Sequence, residues 1–345
     1  MKRDYSVQGL VSFTAEGKSS LLDRFLQGWD IELRGLESAG GDNPDLAVTI
    51  GRFTPDHKDC TILDDDYCIR DSYLHCREDR HSYATWQLQI CGLEQGGTRV
   101  DVSPNALGKT LIPELVVNPL IWYKLNVKGY PVVHGSAVSR DGKGYVFAGR
   151  GASGKSIIAL GLVERGFQLV SDHFVILSDD EVLSLAVPFH IMDFNLVPLL
   201  RENMKMKHRA LFLSRQLSRR LMGRRIATKI LPGDILPQAL LADRARLRSL
   251  FLLLPREELR VERIDREEMV KHLVANQKLE FVPFIKYMME YAYLRPESDV
   301  ATYWSRYEDN LKRALKCTED FYKVEVPLRQ DERTLGAIAE LLVRS

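Results

Sequence analysis

The sequence predicts an α/β protein built around a mixed β-sheet. In the middle of the chain, short apolar stretches with the character of strands alternate with a helical stretch. Two of these strands form an antiparallel hairpin directly before a glycine-rich loop, so the sheet is not wholly parallel. The composition agrees, because 45% hydrophobic and 28% charged residues are ordinary values for a globular protein. They exclude a disordered, collagen-like or coiled-coil chain.

The chain is long enough for about two domains, since it has 345 residues and a domain holds ~150. We predict an N-terminal α+β region over residues 1–125 and a second domain over residues 126–345. Within the second domain we expect a basic insertion at about 200–230 and a mainly helical part at about 264–345.

Charge and cysteine content limit the partners and the compartment. Lys and Arg number 48 against 47 Asp and Glu, so the net charge of +1 does not favour nucleic acid as a partner. The five cysteines form no C-x-x-C pair, the N-terminus lacks the apolar core of a secretory signal, and no apolar run approaches ~20 residues. These features predict a cytoplasmic protein with reduced thiols and no membrane span, and they leave an oligomer open.

The N-terminal region shows both helical and alternating patterns. Residues 19–29 have helical spacing, and residues 111–125 are predicted to form a helix interrupted or kinked at Pro113 and Pro119. The acidic stretch 56–80 is expected to be a loop. Alternating hydrophobicity predicts three strands, at 46–50, 85–90 and 98–102.

The second domain opens with a hairpin whose register can be counted. Asp141-Gly142 is a typical two-residue turn, with strands predicted on either side of it, at 132–138 and 145–148. Pairing across this turn places His134 opposite Gly149, and a turn shifted by one residue places it opposite Gly151. In either case His134 lies beside the start of the loop that follows.

The remaining elements follow from periodicity and from stop signals. Gly166 ends a helix over residues 156–165. Residues 250–254 read as a buried central strand, and further strands are predicted at 167–171, 174–177 and 322–326. A last helix is predicted over residues 334–342, and an earlier one presents an apolar face made by Val300, Tyr303, Tyr307, Leu311 and Leu315.

The eight residues after the hairpin, called the phosphate loop here, match G-x-x-x-x-G-K-[ST] in full: Gly149, Arg150, Gly151, Ala152, Ser153, Gly154, Lys155 and Ser156. Backbone N–H groups of such a loop surround phosphate oxygens, and the helix N-terminus adds about half a positive charge. We therefore expect nucleotide binding, with Lys155 at the β- and γ-phosphates and Ser156 as a Mg²⁺ ligand. The alternative is a glycine-rich turn without a ligand.

Two other Gly-Lys-Ser/Thr segments lack the first glycine of the pattern. Gly17-Lys18-Ser19 has Ser12 in that place, and Gly108-Lys109-Thr110 has Ser103. We expect a helix start or a turn at these segments, not a phosphate loop.

An aspartate sixteen residues after Ser156 stands at the end of the next strand, in Ser171-Asp172-His173. One helix and a short turn separate the two residues, so Asp172 can return to the mouth of the phosphate loop. There its carboxylate can bind Mg²⁺ or accept the proton of an attacking hydroxyl. The alternative is an aspartate that caps a helix or a turn.

Four features together resemble the kinase domain of HPr kinase/phosphorylase and related kinases: His134-Gly135, the Asp141-Gly142 turn, the phosphate loop and the run from Gly166 to Asp172. The match covers about residues 134–178, and these kinases share the phosphoenolpyruvate-carboxykinase-like P-loop fold. The resemblance implies phosphorylation of a hydroxyl with ATP and Mg²⁺, typically a serine of a protein or peptide. It also implies that His134 lies at the phosphates and that Asp172 is the catalytic base.

The chain departs from that family in two places. His173 stands where the family usually has a second acid, and the later Arg-Gly-Leu-Gly run with its glutamate is missing. His173 is either a substitute metal ligand or a neutral spacer. These departures favour a divergent kinase, and they keep two alternatives open: a nucleotide-binding switch or adaptor without catalysis, and a small-molecule kinase on the same fold.

Two further groups of residues are less specific. Residues 201–230, called the basic segment here, hold ten Lys/Arg and one acid. They form either a solvated helix or a lid or docking surface for an acidic peptide, phosphates or nucleic acid. We interpret the histidines and cysteines near residues 56–80 as buried thiols and loop histidines, since zinc sites usually show C-x₂₋₄-C pairs; they are His57, Cys60, Cys68, His75, Cys76 and His81.

Overall fold

The computed structural model describes residues 2–17, 28–39, 43–192, 196–222, 227–327 and 331–344. By contacts, the chain forms two compact units, Met1–Lys128 with Lys278–Tyr307, and Gly129–Gln277 with Glu308–Ser345. The sequence predicts a division near residue 125 with everything after it in one domain, whereas residues 278–307 cluster here with the N-terminal unit. None of the described helices is both long and apolar enough to cross a membrane.

The first unit contains an eight-stranded mixed sheet with the order β1-β2-β3-β8-β7-β6-β5-β4. β2, β3 and β8 run parallel to one another, and the other neighbours are antiparallel. The strands are β1 Lys2–Val7, β2 Val11–Glu16, β3 Leu46–Ile50, β4 Thr61–Leu63, β5 Tyr67–Arg70, β6 Tyr73–His81, β7 Ala84–Cys91 and β8 Thr98–Pro104. The three strands predicted for this region lie within β3, β7 and β8.

The prediction of a loop over residues 56–80 was wrong, because β4, β5 and β6 occupy most of that stretch. The acidic residues concentrate in the turn between β4 and β5, where Asp64 and Asp65 adopt φ of 49° and 56°. Aspartate tolerates this left-handed conformation better than most residues. The strands themselves bury apolar side chains such as Ile69 and Leu74. The turn's composition therefore concealed the strands on either side of it.

Two helices of the first unit follow one another with a π-helical turn between them. Gly108–Ile112 (α2) and Asn118–Val127 (α3) are separated by a π-helical turn, Pro113–Val117. Proline has no N–H for an i→i−4 bond, so the interruption predicted at Pro113 is confirmed. The other elements are α1 Trp29–Glu32, a 3₁₀ turn Arg34–Leu36 and α9 Val282–Leu294. Most of the helix predicted over residues 19–29 lies outside the described residues.

Aromatic packing explains why residues 278–307 belong to this unit. The ring of Phe281 lies 5.3 Å from Trp122, and the ring of Tyr303 stacks 5.5 Å from Tyr123. A helical pattern in a sequence shows that a face is apolar but does not name the element that the face contacts.

The second unit contains the predicted mixed sheet, with β10-β9-β12-β13-β16-β18-β17 as its order, a further β10–β16 pairing and β11 beside β9. β16 runs parallel to β10 and β18, and the other pairings are antiparallel. Its strands are β9 Val132–Arg140, β10 Lys143–Ala148, β11 Gln168–Ser171, β12 Phe174–Ser178, β13 Glu181–Ser184, β16 Arg244–Arg256, β17 Arg260–Arg263 and β18 Asp320–Pro327. A separate pair joins β14 Phe189–Ile191 to β15 Thr228–Ile230. The α/β class is confirmed, while the carboxykinase-like core stays a prediction.

The helices of the second unit pack on the sheet, and the two together form one apolar core. They are α4 Lys155–Val163, α5 Pro198–Asn203, α6 Met206–Met222, α7 Pro232–Ile235 and α11 Glu332–Arg344, with a 3₁₀ turn Gln238–Leu240. Core residues come from the sheet and from these helices, among them Phe147, Leu160, Phe212, Phe251 and Ile338. The chain passes from one unit to the other within α8 Arg266–Glu280 and α10 Tyr303–Ala314.

The hairpin register is confirmed. Asp141 and Gly142 adopt φ of 53° and 75°, as a two-residue turn with both central residues left-handed requires. Arg140 pairs with Lys143, and the ladder continues to the pair Gly135 and Ala148. His134 is therefore the next residue of β9 beside the start of the phosphate loop.

Candidate functional site

The phosphate loop links the end of β10 to the start of α4, and two of its glycines are required by the backbone. Gly154 has φ of 88°, and Gly149 has φ of 154°. A Cβ on Gly149 would lie 2.7 Å from the carbonyl oxygen of Leu253, which no side chain tolerates. β16 thus packs directly under the first residue of the loop.

The lysine of the loop is folded over its mouth. Lys155 is buried, and its Nζ donates to the carbonyl oxygens of Gly149 at 2.7 Å and Arg150 at 2.8 Å. Arg150, Gly151 and Ala152 at the tip are exposed. The ammonium group is therefore held where it can exchange carbonyl oxygens for phosphate oxygens that enter from solvent.

Asp172 lies directly after β11 and faces the first turn of α4. Its Oδ1 accepts a hydrogen bond from Ser156 Oγ at 2.8 Å, and the same hydroxyl lies 3.1 Å from Oδ2. Ser136 Oγ donates to the same Oδ1. Asp172 is buried and binds two hydroxyl groups, so it does not act as the cap of a helix or a turn.

Ser136 is a residue of this site that we did not predict. It stands two positions after His134 on β9, and side chains two apart on a strand share a face. Once His134 was placed at the loop, this period of two could have identified Ser136 as the next side chain facing it.

Ser156 and Asp172 suit a Mg²⁺ ion. A hydroxyl oxygen and a carboxylate oxygen 2.8 Å apart are hard oxygen donors, and Mg²⁺ in phosphoryl-transfer sites is held by one or two carboxylates and phosphate oxygens. The residues present therefore fit the ion that the phosphate loop implies.

His134 and His173 lie in a cluster of rings behind this pair. The His134 ring centroid is 5.2 Å from that of His173, and the His173 ring stacks 5.0 Å from His190 of β14. His173 has φ of 74°, and its carbonyl oxygen accepts a hydrogen bond from the N–H of Gly135. The structure thus places the His173 ring against two other imidazoles, and both interpretations of His173 stay predictions.

Asn276 of α8 joins the two strand ends at the site. Its Nδ2 lies 3.4 Å from the carbonyl oxygen of His134 and 3.3 Å from that of Gly149. Asn276 is buried. The sequence contains no motif around this residue and 127 positions separate it from Gly149, so sequence reasoning had no signal for it.

The basic segment is anchored in the same unit. In α6, His208, Phe212 and Arg215 are buried, while Leu213 and Leu217 are 62% and 57% exposed. Burial lowers the pKa of the Arg215 guanidinium to about 10, and the group donates to the carbonyl oxygen of Ala227. The helix is therefore only partly solvated.

The basic segment also returns to the neighbourhood of the site. β15 lies at the end of the basic segment and pairs with β14, and the register of this pair puts Lys229 opposite His190. The ring of His190 stacks on that of His173, and the ring of His173 contacts that of His134. These contacts connect the end of the basic segment to His134. The basic segment contains two arginine pairs; the side chains of Arg219-Arg220 and all of Arg224-Arg225 lie outside the described residues.

The histidines and cysteines of β4–β6 form no metal centre among the residues that the structure describes. His57 Nε2 lies 3.3 Å from His75 Nδ1, and Gln87 Nε2 lies 3.0 Å from His75 Nε2. Burial, followed by the nearby His57 and Arg77, lowers the pKa of His75 to about 4. The cysteines are free thiols.

Comparisons with known proteins add little to this geometry. No family model matches the chain, and no curated protein matches it. Among solved structures, the Hpr(Ser) kinase/phosphatase from Coxiella burnetii matches with 12% sequence identity and a TM-score of 0.28. The match covers 62% of this chain and 94% of that chain. A TM-score this low establishes no shared fold, so the function has to be argued from the residues of the site.

Proposed function

We propose that the protein is a kinase that transfers the γ-phosphate of ATP, with Mg²⁺, to a hydroxyl group, in the first instance a serine of a protein or peptide. One observation carries the proposal. The Ser156 hydroxyl and the Asp172 carboxylate meet at 2.8 Å beside a phosphate loop whose lysine lies at its mouth. Phosphate cradle, metal ligands and carboxylate base are the parts that phosphoryl transfer requires.

The phosphate loop accounts for nucleotide binding. The tip of the loop is exposed, so its backbone N–H groups can reach a ligand. The first N–H groups of α4 are further donors, because they have no acceptor within the helix. Lys155 adds a positive charge that is held against loop carbonyls until phosphate replaces them. Arg150 to Ser153 would line the phosphates, and Gly149, Gly151 and Gly154 let the backbone approach them.

Ser156 and Asp172 would hold Mg²⁺, and the ion would neutralise charge that develops on the β- and γ-phosphate oxygens. Ser136 has a separate role, because its hydroxyl, which β9 presents, also donates to Oδ1 of Asp172. Two hydroxyl donors from different elements thereby favour one orientation of the carboxylate.

Asp172 is also our candidate for the base that accepts the proton of the attacking hydroxyl. The carboxylate already accepts hydrogen bonds from two serine hydroxyls, which are the same chemical group as the proposed acceptor. General base catalysis of this kind contributes ~10²–10⁴-fold. His134, whose backbone adjoins the loop, is proposed to lie at the phosphates.

An acceptor as large as a protein or peptide is supported by two features. The tip of the phosphate loop is exposed, and the basic segment of the same unit carries exposed cations, among them Lys205 and Arg209, that can contact an acidic peptide. A small-molecule kinase on the same fold would need neither feature.

A nucleotide-binding switch without catalysis is the second candidate function, and the position of His173 favours it. Where related kinases carry a second acid, this chain has an imidazole that stacks on His190. Such a protein would bind ATP or GTP and leave the γ-phosphate in place.

Labelled ATP tests these proposals. The protein is incubated with γ-labelled ATP, Mg²⁺ and fractionated cell extract, and the products are analysed by mass spectrometry. Label on a serine of a polypeptide supports the protein kinase, and label on a metabolite supports the small-molecule kinase. Lys155→Ala should abolish transfer, whereas Lys143→Ala, an exposed lysine at the start of β10, should not. ATP binding without any phosphate transfer would exclude both kinases and support the nucleotide-binding switch.

A further inference from the structure

The first unit contains a pocket of about 490 Å³ at the carboxyl ends of three parallel strands. The pocket is lined by the last residues of β2, β3 and β8 and by residues just beyond them: Glu16, Gly17, Thr49, Ile50, Gly51, Arg52, Ser103, Pro104 and Lys109. The ends are level, since Glu16 pairs with Thr49, and Ile50 pairs with Val102. Chains that leave neighbouring parallel strands in different directions open a crevice, and ligands bind in such crevices in open α/β sheets.

The charges of this pocket are available to a ligand. Arg52 and Lys109 provide two cations, and Glu16 provides one carboxylate. Among the described residues, these three side chains make no hydrogen bond or ion pair. Two cations in a concave site without a protein partner favour an anionic group, and Thr49 and Ser103 add hydroxyl groups for orientation.

The volume of the pocket and its single carboxylate limit the kinds of ligand that fit it. A volume of about 490 Å³ lies within the range of ~300–1,000 Å³ for small-molecule sites. Glu16 would repel a ligand that is anionic throughout, so the ligand also carries a cationic or hydrogen-bonding group. An acidic amino acid or a phosphorylated amino acid combines these groups.

We propose that this pocket, called the anion pocket here, binds a small molecule that carries a phosphate or carboxylate group together with an ammonium group. Arg52 and Lys109 hold the anionic group, and Glu16 faces the ammonium. The proposal does not depend on the kinase function, because the anion pocket and the phosphate loop lie in different units.

Equilibrium titration of the whole chain tests the proposal, with O-phospho-L-serine and L-glutamate as probes that separate phosphate from carboxylate recognition. The titrations use the Lys155→Ala variant, so that binding at the phosphate loop is weakened. Binding of either probe is expected, and Arg52→Ala and Lys109→Ala should each weaken it at least about tenfold. Glu16→Gln should weaken the amino-acid probe and tighten inorganic phosphate. Arg77→Ala removes an exposed cation of β6 outside the pocket and should change nothing.

A variant that obstructs the pocket without changing any charge provides an independent test of ligand binding. A Cβ on Gly51 would meet no atom within 4 Å and its φ is not left-handed, so Gly51→Phe should fold and obstruct the pocket. If neither probe binds in the millimolar range, or if Arg52→Ala, Lys109→Ala and Gly51→Phe all bind as tightly as their parent, the anion pocket is not a ligand site.

Discussion

The hydroxyl of Ser156 lies 2.8 Å from Oδ1 of Asp172, and this contact joins the helix after the phosphate loop to the end of the next strand. Two residues sixteen positions apart thus form one polar pair. Ser136 approaches the same oxygen from β9, so three elements of one unit meet at a single carboxylate. Charge-assisted hydrogen bonds of this kind are stronger than neutral ones, which favours one fixed orientation of the carboxylate.

Replacement of that carboxylate should separate catalysis from binding. Asp172→Asn keeps the shape of the side chain and removes its charge and basicity. We expect ATP affinity within about tenfold of wild type and transfer at least ~100-fold slower. Calorimetry measures the first quantity and a labelled-phosphate assay the second. Asp141→Asn is the matched control, because Asp141 lies exposed in a turn that asparagine also favours.

The two proposed roles of Asp172 predict different responses to added metal. If the residue only holds Mg²⁺, excess Mn²⁺ should recover part of the lost rate, whereas a missing base is not replaced by metal. An Asp172→Asn protein that transfers phosphate at the wild-type rate would exclude Asp172 from the mechanism.

Ser136→Ala tests whether the orientation of the carboxylate matters. The variant removes one of the two hydroxyl groups that donate to Asp172 and leaves Ser156, the proposed Mg²⁺ ligand, in place. We expect kcat to fall about tenfold, the size of one hydrogen bond to a charged group, with KM for ATP changed less than threefold. Ser139→Ala removes another buried hydroxyl of β9 and should leave kcat unchanged. An equal loss in both variants would indicate a general effect on the strand.

Local sequence signals were sufficient for the loop and its hairpin. Asp141-Gly142 specifies a two-residue turn, the turn sets the register, and the register brings His134 to the loop. The position of Asp172 followed from chain length, since one helix and one turn return the strand end to the loop.

Contacts between distant segments could not be predicted in this way. Asn276 reaches Gly149 from α8, and nothing in the local pattern of an amphipathic helix names its partner. For the same reason, the sequence placed residues 278–307 in the second domain, whereas their contacts group them with the first unit. β4, β5 and most of β6 were missed because the acidic turn between β4 and β5 dominated the composition of this stretch.

Asn276→Ala should destabilise the second unit and disturb the loop. Its amide lies within hydrogen-bonding distance of the carbonyl oxygens of His134 and Gly149, and both would lose this partner. The carbonyl oxygen of Gly149 keeps its hydrogen bond from Lys155 Nζ, so the cost is that of ordinary hydrogen bonds, and the free energy of unfolding should fall by about 0.5–1.5 kcal/mol per bond. Denaturant unfolding measures it, and Lys271→Ala on the exposed face of α8 is the control. A fall no larger than that of the control would show that neither bond contributes.

The buried imidazole of His75 predicts an acid-sensitive first unit. Its pKa is about 4 in the folded protein against 6.5 as the ordinary value, because burial and the charge of His57 disfavour the protonated form. The unfolded chain therefore binds more protons between pH 6.5 and 4, and stability falls as the pH is lowered through that window. We expect a loss of about 1–3 kcal/mol from this residue, measured by denaturant unfolding at pH 7 and pH 4.5. His57→Ala removes one repelling charge and should raise the pKa of His75, which an NMR titration of the ring would report. A ring that titrates near pH 6.5 in the wild-type protein would contradict the prediction.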